Sequence, residues 1–222
     1  SAALEPKTER ERDLVLGTLG GEVMRLRRGD DGRFVMERPL LKGKVPVRAL
    51  AYSPDGRHLV AGDDGGLLWR WEINAGQYKP EPPLHAHQGA IYSTAFGSDG
   101  RLVTAGSDGL VYLWAKDEDM NRGLDLKRRL RLQGAKSEVL SARLAPSGDL
   151  VAASDADGMI HLWQLGLPKL VDRACAAMVR NLSWKEWQRY VGNTDYECTC
   201  PGLGPGAGVP DDKRAKKGQC TL

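Results

Sequence analysis

The chain predicts an all-β fold built from repeated four-stranded antiparallel sheets, and three observations carry that prediction. Three tryptophans, Trp71, Trp114 and Trp163, close near-copies of one phrase: AGDDGGLLWRW, AGSDGLVYLW and ASDADGMIHLW. A fourth, worn copy, GTLGGEVMRL, ends at Leu26, so the successive spacings are 45, 43 and 49 residues. Between the copies, short apolar runs alternate with clusters of Gly, Asp and Ser. A period in the low to middle forties with turn punctuation marks a radial array of sheets, a β-propeller.

The clearest unit runs from Leu84 to Trp114. Ile91 to Phe96 reads as a first strand, with Ile91, Ser93 and Ala95 facing one way and Tyr92, Thr94 and Phe96 the other. Ser98-Asp99-Gly100 makes a turn, because Gly tolerates positive φ and Asp bonds its own backbone. Leu102 to Gly106 is a second strand, Ser107-Asp108-Gly109 a second turn, and Leu110 to Trp114 a third strand. An earlier unit follows the same grammar over Val47 to Tyr52, His58 to Ala61 and Leu67 to Trp71; a later one covers Val139 to Leu144, Leu150 to Ala153 and Met159 to Trp163. Outer strands fall near Phe34 to Leu40, Glu81 to Leu84 and Leu126 to Leu132, polar as suits edges that discourage pairing between molecules.

These residues resemble the WD40-repeat propellers over roughly residues 1–165. In that family a His, a Ser or Thr, an Asp and a Trp form a hydrogen-bonded tetrad, which the resemblance assigns here to His87, Thr104, Asp108 and Trp114. The other units depart from the pattern: Lys44 and Ala135 stand where the His belongs, Gly65 replaces the Asp, and Asp157 retains it. Glu72, Ala115 and Gln164 occupy the place after Trp where the family often has Asp. On paper His87, Thr104 and Asp108 also look like a catalytic set. A Thr inside a strand is not presented to substrate as a nucleophile must be, so the set reads as a blade clasp.

SAALEPK at the N-terminus aligns residue for residue with SARLAPS at 141–147, which puts Ser1 inside a first strand; Thr8 to Arg12 then lengthen the following turn. The resemblance implies seven blades, so about four of seven are expected here. The blades fall at about 1–40, 41–85, 86–132 and 133–165, the first clipped and the last lacking its outer strand. The remaining blades are expected upstream or on another polypeptide.

Beyond the repeats, Leu170, Val171, Ala174, Cys175 and Met178 lie on one face of a helix opened by Pro168. Ser183 and Glu186 form a capping box for a second helix presenting Trp184, Trp187 and Tyr190. These segments read as a C-terminal helical clasp over 166–200, with its aromatics buried against the propeller rim. Residues 201–222, rich in Gly and Pro with a basic cluster at Lys213, Arg214, Lys216 and Lys217, read as a flexible tail. The run RACAAMVRNLSWKEWQRY, followed by Tyr196 and Thr199-Cys200-Pro201, is similar to the tail that closes many bacterial WD-repeat proteins. That resemblance implies a cytoplasmic signalling or defence chain with a STAND-type NTPase or a caspase-like protease upstream. It also places Cys175 and Cys200 on the same clasp. Cys198-Thr-Cys200 lacks the two further ligands of a structural zinc site, so packed thiols are expected and no metal or cofactor.

The composition fits these readings. Of 222 residues, 41% are hydrophobic and 27% charged, with a net charge of only +3. So small an excess counts against a dedicated nucleic-acid binder, although Arg25, Arg27 and Arg28 with Lys127, Arg128, Arg129 and Arg131 keep that alternative in view. No apolar run reaches membrane-spanning length and the N-terminus carries no signal-peptide pattern. All four cysteines follow the last repeat, which suits a reducing cytoplasm. There is no phosphate loop, nucleophile elbow or metal-ligand cluster. The expected function is a non-enzymatic sensor or scaffold that docks a protein partner. The family's habits direct attention to Lys44, Arg70, Gln88, Tyr112, Lys136 and Glu138 as the candidate surface.

Overall fold

A computed structural model of the chain describes residues 1–4, 6, 13–29, 31–116, 126–166, 174–190, 196, 198, 200, 203 and 206–210, with the side chains of 115–116 and 126–129 left aside. The Thr8–Arg12 insertion, the opening of the first C-terminal helix at 168–171 and the basic cluster at 213–217 lie outside these residues. The chain divides into two compact units, Ser1–Trp163 and Gln164–Leu222.

The first unit consists of four antiparallel sheets in chain order. Sheet one joins β1 (Ala2–Leu4), β2 (Leu14–Gly17), β3 (Glu22–Arg28) and β4 (Phe34–Met36), with β5 (Leu41–Lys42) also pairing β3. Sheet two is the meander β6 (Val47–Tyr52), β7 (His58–Asp63), β8 (Leu67–Asn74) and β9 (Gln77–His85). Sheet three repeats it with β10 (Ile91–Phe96), β11 (Leu102–Gly106), β12 (Val111–Lys116) and β13 (Leu126–Leu132). Sheet four contains β14 (Val139–Leu144), β15 (Leu150–Asp155) and β16 (Ile160–Gln164). These are propeller blades. β1 also takes the expected register: Ala2 faces Leu16 in sheet one as Ala142 faces Ala153 in sheet four.

Two strands run longer than the sequence suggests. β8 and β9 extend to a tight hairpin at Ala75-Gly76, where both residues have positive φ (46° and 75°). That turn suits the natural twist of a two-residue hairpin, and it lengthens the outer strand to Gln77–His85. The alternation read for Ile91 to Phe96 is broken by a register shift between Ile91 and Ser93, and shifts recur between Val47 and Ala49 and between Val139 and Ser141. Each first strand therefore bulges at its second residue, Arg48, Tyr92 or Leu140, and the bulge re-aims that side chain.

The blades stack through apolar faces. Val15 and Val23 of sheet one meet Val47, Leu50, Leu59, Ala61, Trp71 and Ile73 of sheet two. Ala49, Val60 and Leu68 of sheet two meet Ile91, Leu102, Tyr112 and Trp114 of sheet three. Trp71 and Trp114 thus plug the seam toward the preceding blade, and removing so large a buried ring costs about 3–5 kcal/mol. Close approach also explains Gly62: a Cβ there would collide with the side chain of Ile91 across the seam.

A polar latch reinforces the first seam. Arg25 bonds Asp13 (2.7 Å) and the Gly76 carbonyl (3.1 Å), pairs with Glu37 (3.1 Å) and lies 4.7 Å above the Tyr78 ring. Tyr78 in turn shares a 2.7 Å hydroxyl contact with Tyr52.

The second unit has its own small core of Trp187, Tyr196 and Val209, flanked by Leu182, Trp184 and Cys198. Its helix α1 (Trp184–Tyr190) begins with the expected capping box: Ser183 N–H donates to Glu186 (2.8 Å) and Glu186 N–H to the Ser183 hydroxyl (3.4 Å). Arg180 adds a bidentate pair at 2.7 and 2.9 Å. That pairing, helped by the capping bonds, holds the Glu186 carboxyl far below the usual range. Three readings change here. Trp187 is buried among residues of its own unit, whereas Tyr190 is 69% exposed. The first part of the supposed flexible tail is built in: Val209 is buried, Trp184 N–H donates to the Ala207 carbonyl (3.0 Å) and Gly206 N–H to the Tyr196 hydroxyl (2.9 Å). Cys175 and Cys200 are not free thiols but a disulfide, and none of the described cysteines is free. Composition alone hid both features, since Gly- and Pro-rich chain can still order around one aromatic anchor.

Candidate functional site

In sheet three the structure joins all four residues of the expected tetrad. Trp114 Nε1 donates to Thr104 Oγ1 (2.9 Å), Thr104 Oγ1 meets His87 Nε2 (2.8 Å) and His87 Nδ1 meets Asp108 Oδ1 (2.9 Å). Trp can only donate and a carboxylate only accept, so a proton on His87 Nδ1 and a Thr104 hydroxyl aimed at Nε2 complete the chain with every polar atom satisfied. Burial opposes ionisation of Asp108, but the interaction with His87 and the backbone N–H bonds from Gln88 and Leu110 together outweigh it and lower the carboxyl pKa. Thr104 and the His87 side chain are fully buried. A hydroxyl committed on both sides and closed to solvent is a brace, which rules out its use as a nucleophile.

Two other blades are clasped differently. In sheet two Asp63 Oδ1 accepts from the backbone of Gly65 and Leu67 (both 2.9 Å), while Oδ2 accepts from Trp69 Nε1 (2.7 Å). In sheet four Asp155 Oδ1 accepts from Asp157 (3.1 Å) and Met159 (2.9 Å), and Oδ2 meets His161 Nε2 (2.7 Å). The His161 bond leads the causes that hold the Asp155 carboxyl below its ordinary value. So the carboxylate has moved from the turn to the end of the second strand, and its partner from an entry-loop His to a third-strand ring. Sheet one uses a lighter version, Thr18 Oγ1 accepting from Glu22 N–H at 3.0 Å. Asp157, the residue that seemed to preserve the tetrad, receives no His; its backbone N–H donates to Ser137 Oγ (3.2 Å).

These clasps build a ridge. Within each blade the turn between second and third strands bonds the loop entering the first: Asp64 N–H to Pro46 O, Ser107 N–H to Ala90 O and Ala156 N–H to Glu138 O, each at 2.9 Å. From blade to blade, a positive-φ glycine of that turn packs on the next entering loop: Gly21 on Lys44, Gly66 on the His87 carbonyl and Gly109 on Ser137. A side chain at these glycines would be strained, and at Gly21 and Gly66 it would also collide, so the entering loops sit in line along one end of the blades.

Lys44, Gln88, Lys136 and Glu138 project from this ridge and are exposed. Arg70 and Tyr112 do not belong to it. Arg70 is buried, with its guanidinium on the Pro82 carbonyl (2.7 Å) and near Glu81 (3.7 Å). Tyr112 is buried edge-on against His87, with ring centroids 4.9 Å apart. Both lie within the third strands, whose faces the neighbouring blades cover. The positions that sequence reasoning missed are the bulge residues. Arg48 is exposed and held by Asp64 at 2.7 and 2.9 Å, Tyr92 donates to Glu138 (3.2 Å), and Leu140 is 47% exposed. Burial, then the Glu138 charge, raises the Tyr92 phenol pKa, so it stays a neutral donor. A residue breaking strict alternation at the second place of three successive first strands is the signal that could have found them.

The basic residues are distributed differently. Arg25 and Arg27 pair with Asp13 and Glu37, which removes them from any free positive patch. Lys127, Arg128 and Arg129 lie on β13 with side chains outside the description, and Arg131 is exposed. Among the described residues no group of three or more His, Cys, Asp or Glu is placed to hold a metal ion. No helix is long and apolar enough to cross a membrane. A shallow cleft between sheets two and three is lined by Asp55, His58, Phe96 and Asp99.

A family profile described as WD domain, G-beta repeat, matches residues 38–71, 78–115 and 126–164, half of the chain. Each match ends at or just beyond one of the repeated tryptophans. No curated protein matches the chain significantly.

Proposed function

Because the chain belongs to the WD40-repeat family, we propose that it is a sensor or scaffold module that docks a protein partner along the ridge of entering loops. WD40 repeats suggest interaction or scaffolding, and such domains are generally non-catalytic. Binding residues concentrate on loops held by a rigid scaffold, and here glycine contacts and carboxylate clasps fix those loops. The carrying observation is the contrast within one unit. The polar residues capable of chemistry, His87, Thr104 and Asp108, are bonded to one another inside the blade. Lys44, Arg48, Gln88, Lys136, Glu138 and Leu140 stand outward.

The mixed charge of this ridge around a half-exposed tyrosine and leucine suits a protein surface rather than a polyanion. The test is quantitative co-purification with the full chain and with the combined variant Arg48→Glu, Lys136→Glu, Leu140→Asp. The variant should keep its circular dichroism spectrum and lose enrichment of the co-purified partner. Enrichment unchanged in a folded variant would refute the assignment.

The wider setting forms part of the same proposal. The RACAAMVRNLSWKEWQRY run supports a bacterial signalling or defence protein in which the propeller restrains an upstream NTPase or protease until a ligand docks. The coding sequence preceding Ser1 tests it: a phosphate-binding loop and further repeats are expected, and a start codon close to Ser1 would refute it.

A further inference from the structure

Among the described residues of the C-terminal unit, Trp187, Tyr196 and Val209 form one apolar core cluster. Two features converge on Cys200. Its backbone N–H donates to Asn181 Oδ1 (2.9 Å), and Asn181 Nδ2 donates to the carbonyls of Cys200 (3.3 Å) and Leu203 (2.8 Å). Asn181 itself is 1% exposed, so this strand of chain is a fixed point. Cys175 sits on a helical turn at 174–177 whose neighbours Ala174, Ala176, Ala177, Met178 and Val179 are all exposed. Little apolar burial holds that turn in place; the disulfide to Cys200, closing a separation of 25 residues, does.

We propose that the Cys175–Cys200 disulfide is a redox lock on the C-terminal unit, which folds in oxidising surroundings and loosens when a dithiol reduces the bond. Cys200 is buried and Cys175 half-buried, so the reductant's thiolate attacks the Cys175 sulfur. The sulfur–sulfur bond breaks, Cys200 leaves as a thiolate and takes a proton, and the reductant's second thiol displaces Cys175 from the mixed disulfide. The two cysteines gain two electrons and two protons; the dithiol ends as a cyclic disulfide. Oxidised glutathione reverses the exchange. Reduction frees the 174–177 turn from the point held by Asn181.

The test uses the full 222-residue chain in oxidised glutathione and in dithiothreitol buffers, with limited proteolysis mapped by mass spectrometry. The oxidised chain should yield a cross-linked peptide containing Cys175 and Cys200. Reduction should speed cleavage within 174–210 by at least about tenfold, well inside what loop closure can supply, while Ser1–Trp163 is cut no faster. Cys175→Ser with Cys200→Ser should be cut rapidly in both buffers, and reoxidation of the wild type should restore protection. Equal protection in the two buffers, or a chain whose Cys175 and Cys200 remain alkylatable after oxidation, would overturn the proposal.

Discussion

Replacing Thr104 with Val keeps shape and volume but removes one hydroxyl. Two fully buried partners, Trp114 Nε1–H and His87 Nε2, then lose their bonds of 2.9 and 2.8 Å. Water cannot replace the hydroxyl where Thr104 is 0% exposed. Each orphaned buried polar group costs about 1–3 kcal/mol, so the expected loss is about 3 kcal/mol. For a unit of this size that corresponds to a midpoint lowered by roughly 6–12 °C. Thr104→Ser, which keeps the hydroxyl and deletes one methyl, should lose only about 1 kcal/mol. Urea titration followed by circular dichroism, with thermal scans alongside, separates the two variants. If Val and Ser destabilise equally, the hydroxyl is not the element that matters and the clasp account fails.

Three further outcomes follow from the same structure. Asp63→Asn sets an amide against the Trp69 indole and should cost about 1–3 kcal/mol, with hydrogen exchange quickening in β7 and β8 and little changed in β11 and β12. Arg25→Met leaves the Asp13 carboxylate buried without its guanidinium and should cost about 3–5 kcal/mol, measured by urea unfolding. Because Asp108 has a lowered folded-state pKa, its contribution is full above about pH 4 and disappears as pH falls through the folded value. Stability should therefore start to fall only as pH drops below about 4, and Asp108→Asn should show a shallower slope in that acid range.

The fold was largely legible because turn chemistry and the tryptophan phrase are local signals. A Gly after Asp, or a Trp closing a strand, reports its own backbone or seam without knowledge of distant residues. The bulges were not legible. Period-two reading assumes that no residue is inserted, and Arg48, Tyr92 and Leu140 are the inserted ones. The clasps of Asp63 and Asp155 were hidden for a related reason. The tetrad template inspects the turn, where Gly65 looks like a loss, while the carboxylate had moved two residues earlier to a partner on the third strand. Arg70 and Tyr112 were misplaced because exposure on a third strand depends on the neighbouring blade, a nonlocal fact. In the C-terminal unit the capping box was readable from Ser183 and Glu186. Burial of Val209, by contrast, depends on chain returning from twenty residues away.

The ridge of entering loops is the surface on which a partner should bind. Hydrogen-exchange mass spectrometry of the chain, alone and with a co-purified protein, measures that directly. Protection on binding should concentrate in 44–48, 88–92 and 136–140 and leave the outer strands β9 and β13 unchanged. Protection confined to β9 and β13, with those loops exchanging as before, would contradict it.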